Sequence, residues 1–300
     1  MRQLVIAGLA LALTGCIIPL PDISQSRSPC RTEPGGWCDF VREAAREAYP
    51  FAMMSNNAYL DEEAYAQLPA GFERRKSLDN DDSGLAYIVF DQYTGDRKLT
   101  RRVIAFRGTD AGSTSDLFAG SFDDRQRNEA EAAYVRERAL LDQAGLTGVP
   151  IIVAGHSLGG ALATQISINH PEVRAYVFNT SPFFSGDPAA NDSNRVAISE
   201  RGEFLRILRR YKTPPAADVI IINCNPSLNV GSKHSIRRLS DCLMWIAAYS
   251  DREALQLVNS ETPAVNKPEV ECGDADKRHP GLMEKAAEPC LHMPKPPQKD

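Results

Sequence analysis

Residues 151–163 read IIVAGHSLGGALA and contain the pattern G-x-S-x-G centred on Ser157. The β-branched run before the pattern predicts a buried strand over 149–154, and the small and apolar residues after it predict a helix over 158–169. A sharp turn from strand to helix holds a nucleophile in a strained conformation, and glycines flank it because side chains there would collide with adjacent strands. The pattern therefore predicts that Ser157 is a nucleophile at the carboxyl edge of a sheet.

Strand and helix candidates alternate on both sides of this turn. Strands are predicted over 85–90, 102–106, 149–154, 173–178, 195–199 and 218–223. Helices are predicted over 128–144, 158–169, 202–210 and 236–249, with two short ones in 39–60 separated by Pro50. The first two strands flank a turn at 93–96 and are expected to form a hairpin. Alternation of strands with helices predicts an α/β fold, a mostly parallel sheet with helices on both faces.

The composition is that of a globular chain. Of 300 residues, 43% are hydrophobic and 24% are charged, and the formal net charge is −5. These values exclude fibrous and disordered classes. Because the balance is acidic and no basic stripe is present, a nucleic acid held through its phosphates is also excluded as a partner.

The first 16 residues have the architecture of an export signal, with a charged start, the apolar run LVIAGLALAL and the small-residue motif LTGC. As a helix the apolar run rises only about 15 Å, too short to span a bilayer core of about 30 Å. The motif LTGC resembles the lipobox of bacterial lipoproteins, in which the cysteine is acylated. The alternative is a plain secretory signal that contains a cysteine.

The resemblance implies a signal peptide over 1–15 and lipidation at Cys16, and the prolines and serines that follow indicate a tether over 16–38. The protein is therefore expected to be exported to the bacterial cell envelope and attached to a membrane by its lipid anchor. Ile17 and Ile18, rather than an aspartate, follow the cysteine and favour the outer membrane. A hydrolase domain is expected over 39–261, followed by a Pro- and Lys-rich tail over 262–300.

Seven cysteines are present, and assigning Cys16 to the anchor leaves six for disulfides in an oxidising compartment. Sequence proximity favours three pairs: Cys30–Cys38, Cys224–Cys242 and Cys272–Cys290. A metal site is the alternative, but the cysteines lack C-x-x-C spacing and the histidines do not cluster with them, so no metal is predicted.

A serine nucleophile needs a base, and His234 is the candidate. It lies between the last predicted strand and the last predicted helix, where the chain order serine, acid, histidine would place it. His156 adjoins Ser157, but side chains diverge in such a turn, so it is expected to pack or to form hydrogen bonds. The other histidines lie at a helix end or in the tail: His170, His279 and His292.

The acid that orients the base should follow a strand between the serine and the histidine. Glu200, at the end of the predicted strand over 195–199, is the first choice, and Asp187 is the second. Glu203 and Asp192 are further candidates. Asp218 is excluded because it opens a strand and would lie at the opposite edge of the sheet.

An oxyanion needs two donors, and the backbone N–H of Leu158 is expected to be one. Residues 105–110 read AFRGTD and offer Thr109 as the second. Together the F-R-G-T and G-H-S-L-G-G motifs resemble the class 3, fungal-lipase-like branch of the α/β-hydrolases. Thr109, Ser157 and Leu158 carry over directly from these motifs, whereas His234 carries over by order and context. The stretch over 111–122 would correspond to a short, mildly apolar lid.

The resemblance implies an esterase or lipase that needs no cofactor. A lipid or another ester is the expected substrate, and a membrane anchor favours phospholipid and cleavage of the phospholipase A1 type. Two alternatives stay open: a non-catalytic envelope lipoprotein that uses the fold as a binding scaffold, and acyl transfer or peptide hydrolysis by the same nucleophile.

Overall fold

The structure is a computed structural model that describes residues 22–24, 30, 33–59, 67–80, 83–108, 124–206, 215–225, 229–260 and 265–268. The strands in these ranges are β1 (Asp22–Ser24), β2 (Phe72–Asn80), β3 (Leu85–Tyr93), β4 (Leu99–Phe106), β5 (Ile151–His156), β6 (Arg174–Phe178), β7 (Arg195–Glu200) and β8 (Val219–Ile222). The helices are α1 (Asp39–Asn57), α2 (Asp124–Gln143), α3 (Leu158–Asn169), α4 (Val230–Lys233), α5 (Ile236–Ala247) and α6 (Arg252–Val258).

The strands form one sheet in the order β1-β8-β7-β6-β5-β4-β3-β2. Neighbours from β4 to β8, and β1 beside β8, pair in parallel, whereas β3 is antiparallel to both β2 and β4. All six predicted strands and the predicted hairpin are confirmed. The mostly parallel sheet, with helices on both faces, is the α/β-hydrolase architecture that the sequence predicted. It brings the carboxyl ends of β4 to β8 to one edge.

Two apolar layers cover the sheet. On one face α1, α5 and α6 bury residues such as Phe51, Leu243 and Ile246, and on the other α2 and α3 bury residues such as Leu141 and Leu162. Alternate residues of one strand enter different layers, so a strand covered on both faces must be apolar at consecutive positions. This burial explains the continuous hydrophobic runs that marked β5 and β8 in the sequence.

The sequence predicted two short helices separated by Pro50, and this prediction is wrong. Pro50 lies inside α1, which runs unbroken for 19 residues. An interior proline removes one backbone hydrogen bond and costs about 3 kcal/mol. Buried residues on both sides of it, among them Tyr49, Phe51 and Met54, join one apolar layer and hold the helix together.

The segment predicted as a tether, 16–38, is partly folded. Residues 22–24 pair with β8, and Trp37 and Cys38 are buried in the core. The folded part of the chain therefore begins before the predicted boundary at residue 39. Four further elements were missed: the mainly exposed β2, the short β1, the four-residue α4 and the seven-residue α6.

Two predicted disulfides are confirmed, Cys30–Cys38 and Cys224–Cys242. The first fixes the residue that caps the N-terminus of α1, and the second joins the end of β8 to α5. Cys272–Cys290 and the lipidated Cys16 lie outside the described residues, as does most of the predicted tail. Within 265–268, Asn266 donates to the Asp241 carboxylate on α5.

Candidate active site

Ser157 lies in the turn between β5 and α3, with φ +55° and ψ −121°. A positive φ is strained for a residue other than glycine, and such strain is typical of a nucleophile in this type of turn. A Cβ on Gly155 would lie 2.2 Å from the Gly159 carbonyl oxygen, and one on Gly159 would lie 2.2 Å from that of Phe106. The two glycines are therefore required by close packing of the turn, as the sequence predicted.

His234 reaches this serine from the segment between β8 and α5. Its Nε2 lies 3.0 Å from Ser157 Oγ. It follows α4 directly, and Ser235 after it caps α5 by accepting the N–H of Arg238. Two helix ends thus fix the backbone on both sides of the histidine. Ser157 and His234 are both buried, so their contact is shielded from water.

The structure places Glu203 beside this histidine. Glu203 Oε2 lies 3.2 Å from His234 Nδ1 and also accepts the N–H of Leu205 at 2.9 Å. Because an ionised carboxylate only accepts, Nδ1 of His234 must carry the proton, and Nε2 is then free to accept from the serine hydroxyl. The Phe204 ring packs against the imidazole ring of His234, with 4.7 Å between the ring centroids.

The structure does not bring Glu200, the first choice for the acid, to His234. Its two oxygens accept the backbone N–H groups of Cys224 and Asn225 at 3.0 and 3.1 Å. Glu200 is the last residue of β7, and both its oxygens are bound to backbone groups at the start of the loop that carries His234. Burial raises the pKa of Glu200 to about 8, although the two N–H donors and nearby Lys233 lower it.

The other acid candidates also lie elsewhere. Asp187 is exposed and accepts the N–H of Ala189. Asp192 lines a cavity with Glu43 of α1 and Asp218, the residue before β8, at the opposite edge of the sheet. Glu203, ranked below Glu200 and Asp187 on sequence, is the acid that the fold brings to His234.

His156 is held between Tyr59 and His234. Its Nδ1 lies 2.8 Å from the Tyr59 hydroxyl, and its Nε2 lies 2.7 Å from the His234 carbonyl oxygen. The prediction of a hydrogen-bonding role for His156 is confirmed. Burial, reinforced by neighbouring His234, lowers the pKa of His156 well below its ordinary value, so the ring is neutral.

Leu158 is the first residue of α3, where a backbone N–H has no partner within the helix. Thr109 and the stretch predicted as a lid, 111–122, lie outside the described residues. The part of the chain that the structure describes contains no cluster of three or more His, Cys, Asp or Glu side chains fit to hold a metal. None of its helices is long and apolar enough to cross a membrane.

The fold and the serine turn define an α/β-hydrolase. Residues 44–203, just over half of the chain, match the family described as Phospholipase-like: Tle-like phospholipase domain, and the chain belongs to this family. The matched region contains Ser157 and Glu203, whereas His234 follows it. No curated protein matches the sequence.

Solved structures of lipases match parts of this chain at low sequence identity. A triacylglycerol lipase from Penicillium expansum is 17% identical, with 47% of this chain and 62% of that chain covered and a TM-score of 0.36. The extracellular lipase LipA from Serratia marcescens is 16% identical, with 72% and 52% covered and a TM-score of 0.43. A mono- and diacylglycerol lipase from Aspergillus oryzae is 21% identical, with 55% and 71% covered and a TM-score of 0.36. The matches span less than two thirds of the first two lipases.

Proposed function

We propose that this protein is a serine hydrolase that cleaves the carboxylic esters of lipids. The observation that carries the proposal is the line of three side chains, Ser157, His234 and Glu203, joined at 3.0 and 3.2 Å. This is the geometry of a nucleophile, a base and the group that orients the base. The family, described as phospholipase-like, supports a phospholipid as the substrate.

In the proposed reaction, Ser157 Oγ attacks the ester carbonyl carbon while His234 Nε2 takes the hydroxyl proton. The carbonyl oxygen becomes an oxyanion, which accepts from the N–H of Leu158 and from Thr109. When the intermediate collapses, the C–O bond breaks and His234 returns the proton to the departing alcohol. A water molecule, activated by the same histidine, then releases the carboxylic acid and restores the serine.

The contacts of Glu203 support its proposed role as the acid that orients His234. Its Oε2 accepts from both His234 Nδ1 and the N–H of Leu205, so the position of the carboxylate is fixed before the substrate arrives. A fixed negative charge beside Nδ1 holds the tautomer in which Nε2 accepts, and it stabilises the imidazolium that forms during attack.

The proposed location follows from the first residues of the chain. Lipidation at Cys16, export and attachment to the outer membrane would hold the domain against its phospholipid substrate. Mass spectrometry of protein extracted from membranes tests this part. An acylated N-terminus at Cys16 is the expected result, and an unacylated chain cleaved elsewhere would replace the anchor with a plain secretory signal.

Activity is tested with the full chain in detergent micelles, on a soluble butyrate ester and on phospholipid vesicles. Removing the nucleophile in Ser157→Ala should lower kcat by about 10⁴-fold or more. Ser77→Ala, at an exposed position of β2, is the matched control and should keep the full rate. An equal rate in Ser157→Ala and the wild type would reject the nucleophile.

The products separate the remaining alternatives. Release of a fatty acid and a lysophospholipid supports hydrolysis of phospholipid, whereas turnover of the soluble ester alone rejects it. A new ester formed with an added alcohol would indicate acyl transfer. A wild-type protein that binds lipid but turns over none of these esters would be a scaffold.

A further inference from the structure

Tyr59 connects two parts of the catalytic apparatus that lie far apart in the sequence. It follows the C-terminal end of α1, and its hydroxyl accepts the N–H of Gly108 at 3.1 Å. The same hydroxyl lies 2.8 Å from Nδ1 of His156. Gly108 immediately precedes Thr109, the proposed oxyanion residue, and His156 immediately precedes Ser157.

The direction of each hydrogen bond is fixed by its partners. Nε2 of His156 faces the His234 carbonyl oxygen at 2.7 Å, and a carbonyl oxygen only accepts, so Nε2 carries the proton. In a neutral ring Nδ1 is then an acceptor. The Tyr59 hydroxyl therefore donates to Nδ1, and its lone pair accepts from Gly108.

The packing leaves little room for another arrangement. A Cβ on Gly108 would lie 2.4 Å from the Tyr59 hydroxyl oxygen and 3.0 Å from Ser157 Cβ. The rings of His156 and His234 lie 4.6 Å apart between centroids. Since His234 becomes a cation during catalysis, an uncharged ring beside it avoids repulsion between like charges.

We propose that Tyr59 and His156 are positioning residues of the proposed hydrolase. The relay Gly108–Tyr59–His156–His234, defined by these three hydrogen bonds, holds the backbone of the base and the segment that leads to Thr109 in one alignment. The proposal rests on the proposed function, because alignment matters only if Ser157 and His234 carry out chemistry. In this proposal His156, which precedes the nucleophile Ser157, positions the base but takes no part in proton transfer.

Two substitutions interrupt the relay with little change of shape. Tyr59→Phe removes only the hydroxyl, and His156→Gln keeps a donor for the His234 carbonyl but alters the acceptor for Tyr59. Each should lower kcat on the soluble butyrate ester by about tenfold, because one or two hydrogen bonds are lost. KM should stay within about twofold of the wild-type value. Because both interrupt one relay, the double variant should be no slower than the slower single variant.

Tyr134→Phe is the matched control. Its hydroxyl is also hydrogen-bonded, to Glu172 at 2.7 Å, but Glu172 lies just before β6 begins, at the opposite edge of the sheet from Ser157. It should keep the wild-type kcat. Titration with a phosphonate that reacts with the serine counts the competent sites, so that kcat refers to folded protein.

Wild-type rates per titrated site in Tyr59→Phe, or losses that multiply in the double variant, would overturn the proposal. NMR of the histidine ring nitrogens gives a readout that does not depend on activity. His156 should stay neutral with Nε2 protonated at pH 5.5, because the titratable groups that face it in the described structure are Tyr59 and His234. A charged ring at that pH would also overturn it. A wild type inactive on every ester, with this NMR signature intact, would reject the proposed function instead.

Discussion

Glu203 Oε2 lies 3.2 Å from His234 Nδ1, although Glu203 is three residues beyond the end of β7. This spacing moves the carboxylate away from the sheet edge and toward the loop that carries the base. Substitution Glu203→Gln keeps the size of the side chain but allows an amide to face Nδ1, which favours the wrong tautomer of His234. We expect kcat on a soluble ester to fall by about 10³-fold or more, as for the orienting acid of other triads.

Glu200→Gln is the matched control for that experiment, since it makes the same change three residues earlier. Its carboxylate touches the backbone of Cys224 and Asn225 rather than the imidazole. Its effect on kcat, measured per active site, should be at least tenfold smaller. Equal losses in the two variants would mean that the acid cannot be assigned from this geometry.

The sequence was sufficient for six of the eight described strands and for the serine turn, because those depend on local patterns. Apolar runs, glycine positions and the order of strands all follow from residues close together in the chain. The choice between Glu200 and Glu203 depends instead on where a loop turns after β7 and on a carboxylate contact with a histidine 31 residues away. Neither is encoded in a periodic pattern, so sequence reasoning ranked Glu200 first although the structure brings Glu203 to His234.

The raised pKa of Glu200 predicts a pH dependence of stability. A carboxyl group whose pKa is about 8 in the folded chain, against 4.5 ordinarily, binds its proton more tightly there than in the unfolded chain. The free energy of unfolding should therefore fall as pH rises from about 4.5 to 8.

Glu200→Gln removes this titration. Between pH 5 and pH 8 its free energy of unfolding should therefore decline less than that of the wild type, by about 1.4 kcal/mol or more. Urea unfolding at the two pH values measures the difference. Asp187→Asn, at an exposed position, is the control and should follow the wild type. An unchanged slope in Glu200→Gln would mean that other groups dominate the pH dependence.

The Cys224–Cys242 disulfide should support both stability and catalysis. It joins residues 18 apart, and His234 lies between them. Replacing both cysteines by serine should lower the free energy of unfolding by about 3 kcal/mol, because the unfolded chain gains the conformational freedom that the disulfide restricts. It should also lower kcat by about tenfold or more, because the backbone of the base is less firmly placed.

The Cys30–Cys38 pair provides the comparison. It closes a shorter loop, with a separation of 8, at the start of α1. Its replacement by serine should cost about 2 kcal/mol and leave kcat per titrated site unchanged. A loss of kcat as large as that for Cys224 and Cys242 would point to a general effect of destabilisation.

Two features, the unbroken helix α1 and the strand β2, depend on packing and could not be predicted from local sequence signals. A proline inside a helical pattern predicts a break, yet α1 continues through Pro50 because its buried face joins one apolar layer. Conversely, β2 is rich in charged residues and lacks an apolar run, and it forms a strand because it pairs with β3 at the edge of the sheet. In both cases the partner element, rather than the segment itself, supplies the stabilising free energy.

A buried ionic network joins β3, β4 and α2. Arg102 binds both oxygens of Asp91, at 2.7 and 2.9 Å, and reaches Glu137 at 2.9 Å. The three side chains are at most 2% exposed, so a charge left without its partner could not be hydrated. Asp91→Ala should therefore lower the free energy of unfolding by about 3 kcal/mol, and Arg102→Met, which leaves two carboxylates, by more.

Glu73→Gln is the control for this network, because its ion pair with Arg97 is exposed and should contribute less than about 1 kcal/mol. Urea unfolding with the disulfides intact measures all three variants. Since Arg102 pairs with Ile151, at the start of β5, the network lies away from Ser157, and kcat per titrated site should not change in any of them. A loss below about 1 kcal/mol in Asp91→Ala would mean that water or another group compensates Arg102, and that the buried ion pairs add little to the contacts among β3, β4 and α2.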